Sequence, residues 1–251
     1  MNKYKKYLWM QSWSVKTAIA LILLSLLSPG VVAQNKSIYT NKKNLVTFEP
    51  PKGDKPQQTT GGASRGEQCP LNARDLELPI TPLLPSASKA LTVKSHPTLM
   101  VYLPETSATT ALFSVRDEAE DYDYQTVLPI SDRAGIVSLT LPDNAPALNV
   151  DREYQWSLIL MCDGKLRPDS PVAQGYVTRV KEDGNLTQKL SQNNSLEEAI
   201  VYGKAGLWYD TVASLAELKI AQPENNTIAY NWENLLQQVG LEKVAKAEFV
   251  E

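Results

Sequence analysis

Cysteine and histidine carry the most versatile side-chain chemistry, and this chain of 251 residues has Cys69, Cys162 and His96 to supply it. A reactive thiolate needs a neighbouring cation that lowers its pKa, whereas Cys162 is followed directly by Asp163. Neither cysteine belongs to a C-x-x-C pair, and one histidine with two distant cysteines is a poor zinc set. His96 precedes a proline at a predicted strand entry, which is typical of a structural histidine. We therefore expect no catalytic residue and no metal centre among them.

The first 33 residues predict export. A lysine-rich start without acids, MNKYKKYLWMQSWSVK, leads into the apolar run TAIALILLSLLSPGVVA. Val31 and Ala33 are the small residues of a cleavage site before Gln34. The run is interrupted by serines and a proline and is shorter than the ~20 residues that span a bilayer. We expect a cleaved signal peptide, a mature chain without a transmembrane span, and a periplasmic or extracellular location.

This compartment favours a structural role for both cysteines. Outside the cytoplasm, two cysteines with no third usually pair. We therefore predict a disulfide between Cys69 and Cys162, which would join the start of the folded region to the end of a strand.

The acidity of the mature chain limits its partners. Removal of residues 1–33 takes away four lysines and no acid, which leaves 25 − 4 = 21 basic and 28 acidic residues, a net charge of −7. Phosphate backbones and anionic lipid repel such a chain, so we expect no nucleic-acid binding.

Two short motifs have catalytic or phosphate-binding counterparts. SASK (86–89) matches the S-x-x-K nucleophile motif, but the chain has no K-T-G, and nearby prolines disfavour the helix that this chemistry needs. GGASRG (61–66) resembles a phosphate-cradling loop but lacks the Lys-Ser/Thr pair of a P-loop. We interpret it as a hinge or turn, and Arg65 as a candidate binding residue.

Two further clusters suggest ligands. The five acids of RDEAEDYDY (116–124) offer the oxygens that calcium prefers, although their spacing is not that of an EF-hand and a solvated hairpin loop is the alternative. Trp208, Tyr209 and Asp210 could form a platform for a sugar or a peptide. Helical spacing places Trp208 in the core and leaves Tyr209 and Asp210 as candidate binding residues on an exposed side.

Short apolar runs of period two predict the elements that would position these residues. Six strands are expected, too closely spaced for intervening helices, and two antiparallel sheets packed face to face would bury their apolar faces. The predicted strands are 98–104, 111–116, 124–130, 135–142, 154–162 and 173–180. Residues 34–68, rich in Pro, Gly, Thr and Gln, predict a disordered tether.

Periodicity changes to 3.6 in the last part of the chain. Ser195 opens a capping box before one helix, a second ends before Pro223, and a third ends at Gly240, with a short fourth at 242–249. The fold class is therefore mainly β, an antiparallel β-sandwich (69–190) followed by a helical segment packed on it (191–251). The spacing of small and aromatic residues in this segment is similar to that of a single tetratricopeptide repeat, a helical hairpin.

Four motifs in order, GGASRG, YQWSLILMC, GLWYDTVASLAEL and WENLLQQVGL, resemble the cyanobacterial family called domain of unknown function 928, over about residues 46 to 245. The resemblance implies an exported chain with no established activity, and relatives among secretion and adhesin-like systems imply an envelope role.

Together these features predict a noncatalytic protein that binds or scaffolds an envelope or secreted partner protein. The alternatives are an enzyme acting on cell wall or polysaccharide, and a module that binds a sugar or a cation. A concave pocket with paired acids and shifted pKa values would favour the enzyme. An exposed apolar patch would favour partner binding.

Overall fold

The computed structural model describes residues 44–51, 61–62, 78–86, 89–118, 121–192 and 196–250. The predicted signal peptide, Arg65 and Cys69 lie outside these residues, as does the capping residue Ser195. Within this part of the chain, the helices are α1 (Gly184–Gln192), α2 (Leu196–Lys204), α3 (Trp208–Ala221) and α4 (Asn226–Gln238). The strands are β1 (Gly61–Gly62), β2 (Thr81–Pro82), β3 (Leu91–Thr92), β4 (Thr98–Leu103), β5 (Thr110–Asp117), β6 (Asp123–Pro129), β7 (Gly135–Thr140), β8 (Arg152–Leu160) and β9 (Val172–Arg179).

The strands form two sheets. The large sheet has the order β1-β9-β8-β5-β6, and β3 adds to β9 in parallel; the small sheet has the order β2-β4-β7. Side chains of both sheets, among them Phe113, Trp156, Val101 and Ile136, are buried in one apolar core. The predicted antiparallel sandwich is therefore confirmed, and the six predicted strands correspond to β4–β9.

Alternation along the central strands decides which residues enter the core. Val115, Trp156 and Gly175 lie opposite one another on β5, β8 and β9, and their side of the large sheet faces inward. Leu84, which follows β2, packs so closely over Gly175 that an added Cβ would collide with its side chain and crowd the Trp156 ring. Glycine is thus required on β9 because two large side chains meet above it.

The helices α2, α3 and α4 belong to the same core, whereas Leu186 of α1 lies in a smaller apolar cluster. α2 and α3 form the predicted hairpin, turning at Gly206 (φ +74°), and α3 contacts β3 and β4. Asn225 caps α4 by accepting from the N–H groups of Thr227 and Ile228. Gly240 takes a positive φ of 83° just beyond α4, as predicted from the sequence.

The boundary of the helical segment differs from the prediction. α1 begins at Gly184, inside the range assigned to the sandwich, and Asp183 caps it by accepting from the Leu186 N–H at 2.6 Å. Leu186 and Leu190 lie four residues apart in this mostly polar helix, so its apolar period rests on two residues. Residues 242–246 form turns, not the expected short helix; Phe249 forms a β-bridge with Ile136 of β7, and the Val250 N–H donates to the Ile136 carbonyl.

The prediction of a tether over residues 34–68 is wrong for residues 44–51. Val46 and Phe48 are buried, and the Phe48 ring lies edge-on to Trp208 with centroids 5.1 Å apart. The N–H groups of Val46 and Phe48 donate to side-chain oxygens of Asn231 and Gln238 on α4, both at 2.7 Å. Burial of the apolar side chains at 46 and 48 offsets the entropy cost of ordering this short segment.

Candidate functional site

A cavity of about 170 Å³ lies where the β3–β4 connection meets α2 and α3. We call it the Asp210 cavity. Its lining includes three acids, Glu198, Asp210 and Glu217, together with Lys94 and His96. Ligand pockets for small molecules usually measure about 300–1,000 Å³, so this space suits a small group and not a sugar chain.

Asp210 is the most deeply buried acid of the cavity. It lies in the first turn of α3 and is 4% exposed, so the expectation that it is exposed is wrong. One carboxylate oxygen accepts from the Val93 N–H at 3.1 Å and the other from the Thr92 hydroxyl at 3.2 Å. Burial raises the pKa of Asp210 to about 6, although these hydrogen bonds and Lys94 oppose the rise. Asp210 therefore pins β3 to α3 and titrates near neutrality.

His96 holds two loops together. Its Nε2 lies 3.0 Å from the Ala145 carbonyl oxygen, which can only accept, so Nε2 carries the proton. In the neutral ring, Nδ1 then accepts from the Ser95 hydroxyl at 3.1 Å. Both ring nitrogens are thus engaged by the fold, in the structural role expected from its position before Pro97.

Tyr209 is also buried, contrary to the expectation from helical spacing. Its hydroxyl accepts from Trp156 Nε1 at 2.7 Å and donates to the Tyr176 carbonyl at 2.8 Å. Burial raises the pKa of Tyr209 above its usual range. One phenol hydroxyl therefore links α3 to the neighbouring strands β8 and β9, and its geometry indicates a structural role.

We predict that Tyr209→Phe lowers the free energy of unfolding by about 1–3 kcal/mol, because a buried indole N–H and a carbonyl lose their partner while the ring packing is kept. Urea unfolding monitored by tryptophan fluorescence measures the change. The matched control is Tyr230→Phe on α4, since Tyr230 is 46% exposed. Equal losses from the two variants would contradict a structural role of the hydroxyl.

A cation from β8 pairs with the acid-rich loop 116–124. Arg152 Nη2 lies 2.7 Å from Asp117 Oδ2 and 2.9 Å from Asp121 Oδ2, while Asp117 Oδ1 accepts from the Tyr122 N–H. The pKa of Arg152 is raised, first by the hydrogen bond to Asp121. A guanidinium thus occupies the space between two of the acids proposed for calcium. Within the described ranges, no group of three or more His, Cys, Asp or Glu side chains could hold a metal ion.

The described residues of the remaining sequence motifs do not line the Asp210 cavity. Gly61 and Gly62, the first two residues of GGASRG, form β1 and pair with the edge of β9. Arg65 lies outside the described residues. Ser86 lies in a turn, and residues 87 and 88 of SASK lie outside the described part. Cys162 is 2% exposed and is not a free thiol. Its predicted pairing with Cys69 stays a prediction, because Cys69 is not among the described residues.

A second candidate site was missed because it requires the strand register. One apolar row crosses the solvent side of the large sheet, from Val127 on β6 through Leu112 and Ile159 to Val172 on β9. Val127 is 52% exposed and the other three are half-buried. We call this side of the large sheet the outer face.

Polar rows border the apolar row of the outer face. In the next row along the strands, the side-chain amides of Gln125 and Gln174 lie on either side of Ser114 and Ser157. The two serine hydroxyls share a hydrogen bond of 2.8 Å. The row after it includes Arg116 and Tyr176. The outer face thus combines an apolar stripe with neighbouring hydroxyls, amides and an arginine.

The family of the chain follows from its sequence. A family model described as Domain of Unknown Function (DUF928) matches residues 60–249. The chain belongs to the DUF928 family. This match confirms the resemblance predicted from the four motifs, whereas the cyanobacterial source stays a prediction.

Other comparisons add little to the DUF928 assignment. No curated protein matches this chain. The solution structure of the fn3 domain of human collagen alpha-1(XX) chain is 16% identical; the match covers 36% of this DUF928 chain and 76% of that chain, with a TM-score of 0.25. A likeness at this score carries no argument. None of the described helices of this DUF928 protein has the length and apolarity needed to cross a membrane.

Proposed function

We propose that this protein is exported and acts as a noncatalytic binding or scaffolding component of the cell envelope, with the outer face as its docking surface for a partner protein. Export is supported by the lysine-rich start, the apolar run and the small residues before Gln34. Binding is supported by the apolar row of the outer face, and this observation carries the proposal.

The position of this row makes it suitable for docking. Apolar side chains on the inner side of the large sheet are covered by the small sheet and the helices, whereas Val127 remains half exposed at the edge of the outer face. A row across four strands presents a continuous apolar stripe, and its aliphatic side chains lose little entropy on contact. A partner would gain hydrophobic energy from the row and orientation from the neighbouring amides and arginine.

The Asp210 cavity favours a second candidate function, the binding of a small cation. Its lining carries three acids against one lysine, and the carboxylate at its wall is poorly solvated. A methylammonium-sized group fits its volume better than a polysaccharide, so the cavity supports the cation-binding alternative over the cell-wall enzyme. Binding of such a group to wild-type protein, and its loss in Asp210→Asn, would favour this second candidate.

We predict that Val127→Glu abolishes the crosslinks that wild-type protein forms with an envelope partner, because it puts a charge into the apolar row. The matched control is Ile220→Glu near the end of α3, since Ile220 is 56% exposed and lies away from the outer face. Crosslinking in intact cells, followed by mass spectrometry of chains that begin at Gln34, tests both docking and export. Recovery of the protein alone under several conditions, or equal crosslinking by both variants, would overturn the proposal.

A further inference from the structure

The two sheets protect their edges unequally. β9 is covered by β1 at one end and by β3 at the other. At β7, Ile136 donates to the Glu248 carbonyl and accepts from the Val250 N–H, so C-terminal residues cover that end. β2 is only two residues long. In the part of the chain that the structure describes, β6 is therefore the longest strand with an open edge, seven residues from Asp123 to Pro129.

Register shows which backbone groups of β6 point outward. Beyond its two ends, Asp117 N–H donates to the Tyr122 carbonyl and Ile130 N–H donates to the Thr109 carbonyl. In an antiparallel pair the bonding positions alternate, so the even-numbered residues of β6 bond to β5. Asp123, Gln125 and Val127 then direct their N–H and C=O groups away from the sheet.

The residues of β6 leave this edge open at its middle. Proteins usually block an exposed edge with lysine, proline or a bulge. β6 contains no lysine, and its proline stands at position 129, the last outward position. Proline there removes one outward donor and marks the end of the open edge, while the donors of Gln125 and Val127 remain. An extended chain alongside β6 could therefore bond to both.

The surroundings of the edge are acidic at both ends. Asp123 carries an exposed carboxylate near its start, next to Asp121, whose carboxylate pairs with Arg152. Near its end, Glu105, Asp132 and Arg133 line an open cleft of about 580 Å³ between the β4–β5 and β6–β7 connections. The cleft is large enough for the side chains of a segment that continues past β6. Charge complementarity therefore selects a basic occupant over an acidic one.

We propose that the edge of β6 captures an extended, basic polypeptide segment of a partner by strand addition, extending the large sheet beyond β6. This inference rests on the proposed binding function and specifies how the partner is bound. Main-chain bonds to Gln125 and Val127 supply affinity, and basic side chains of the segment pair with the acids at 105, 123 and 132. Its alternate residues lie against the half-buried Tyr124, Thr126 and Leu128.

Proline substitution separates backbone capture from side-chain docking. Gln125→Pro removes an outward N–H but no bond of the β5–β6 ladder, and the chain already accommodates proline at the outward position 129. Gln125→Ala is the matched control, because it removes the same amide side chain and keeps the N–H.

The probe is a blocked nine-residue peptide of alternating lysine and valine, titrated to about 1 mM against the mature full chain by NMR. We expect saturable binding to wild-type protein, slower amide exchange at Gln125 and Val127, and an affinity about tenfold lower in Gln125→Pro than in Gln125→Ala, which lacks the same side chain but keeps the N–H. The same peptide with glutamate in place of lysine is expected to bind about tenfold more weakly.

Absence of binding by wild-type protein, or equal affinity of Gln125→Pro and wild-type protein, would overturn strand addition. Should Gln125→Pro fail to fold, unchanged exchange at Val127 in peptide-saturated wild-type protein would overturn it as well. The outer-face function is judged separately by the crosslinking of Val127→Glu. If Val127→Glu loses those crosslinks while Gln125→Pro still binds the peptide normally, the proposal of partner docking on the outer face is retained and strand addition at β6 is excluded.

Discussion

Loss of the predicted disulfide at Cys162 is expected to lower the free energy of unfolding by about 4–5 kcal/mol, the largest change in stability predicted for this protein. The predicted partner is Cys69, and 162 − 69 = 93 residues separate the two positions. A crosslink over so long a loop removes much conformational freedom from the unfolded chain, and the chain-entropy model gives this magnitude. Cys162 is almost completely buried, so substitution by alanine avoids placing a new hydroxyl in the core.

A variant cycle tests both the size of the effect and the pairing. Urea unfolding is measured for Cys162→Ala, Cys69→Ala and the double variant, and all three should lose the same stability, since each removes the same bond. The control is wild-type protein after reduction, which should approach the three variants. Two free thiols in the denatured, unreduced mature protein, or additive losses in the double variant, would contradict the Cys69–Cys162 pairing.

The stability of wild-type protein relative to Asp210→Asn is expected to fall by about 3 kcal/mol as the pH rises from about 4 to about 6. Burial raises the pKa of Asp210 from 3.8 to about 6. Between these values the folded state keeps a proton on Asp210 that the unfolded state has released. The folded state therefore binds more protons, its stability decreases with pH across this window, and the contribution is constant above it.

Asparagine preserves the contacts of Asp210 without the charge. Its oxygen can accept from the Val93 N–H and its amide can donate to the Thr92 hydroxyl, so Asp210→Asn should fold and be at least as stable as wild-type protein at pH 7. Urea unfolding of both proteins at intervals between pH 4 and 7 measures the difference. Glu217→Gln, an exposed acid on the same helix and cavity, is the control that should leave the slope unchanged. Parallel pH profiles of wild-type protein and Asp210→Asn would contradict the raised pKa.

The strands could be predicted because alternation expresses directly which face of a sheet is buried. YQWSLILMC contains Trp156, Leu158 and Leu160 at intervals of two, and all three enter the core from β8. Strand pairing was not available from this pattern. The apolar row of the outer face exists only once Leu112 and Ile159, distant in sequence, are placed side by side.

Tyr209 and Asp210 could not be assigned correctly because α3 is covered on more than one side. Its first five residues, Trp208 to Val212, are all buried, so its periodicity contains no exposed stripe at this end. Tyr209 bonds to Trp156, and Asp210 bonds to the backbone at the end of β3. Both partners lie far from α3 in the sequence. Helical spacing gives the angle between two side chains on a helix but not the number of surfaces that the helix meets.

Residues 44–51 have a consequence for the order in which the protein folds. The Val46 N–H donates to Asn231 across 185 residues of sequence, and Glu49 donates to the Gly203 carbonyl on α2. A ribosome adds about 5–20 residues per second, so Val46 exists for roughly 10 to 40 s before Asn231 has been synthesised. During that interval Val46 and Phe48 have no site to fill. Closure of the core therefore waits for the end of the chain, and residues 44–51 are among the last to reach their place.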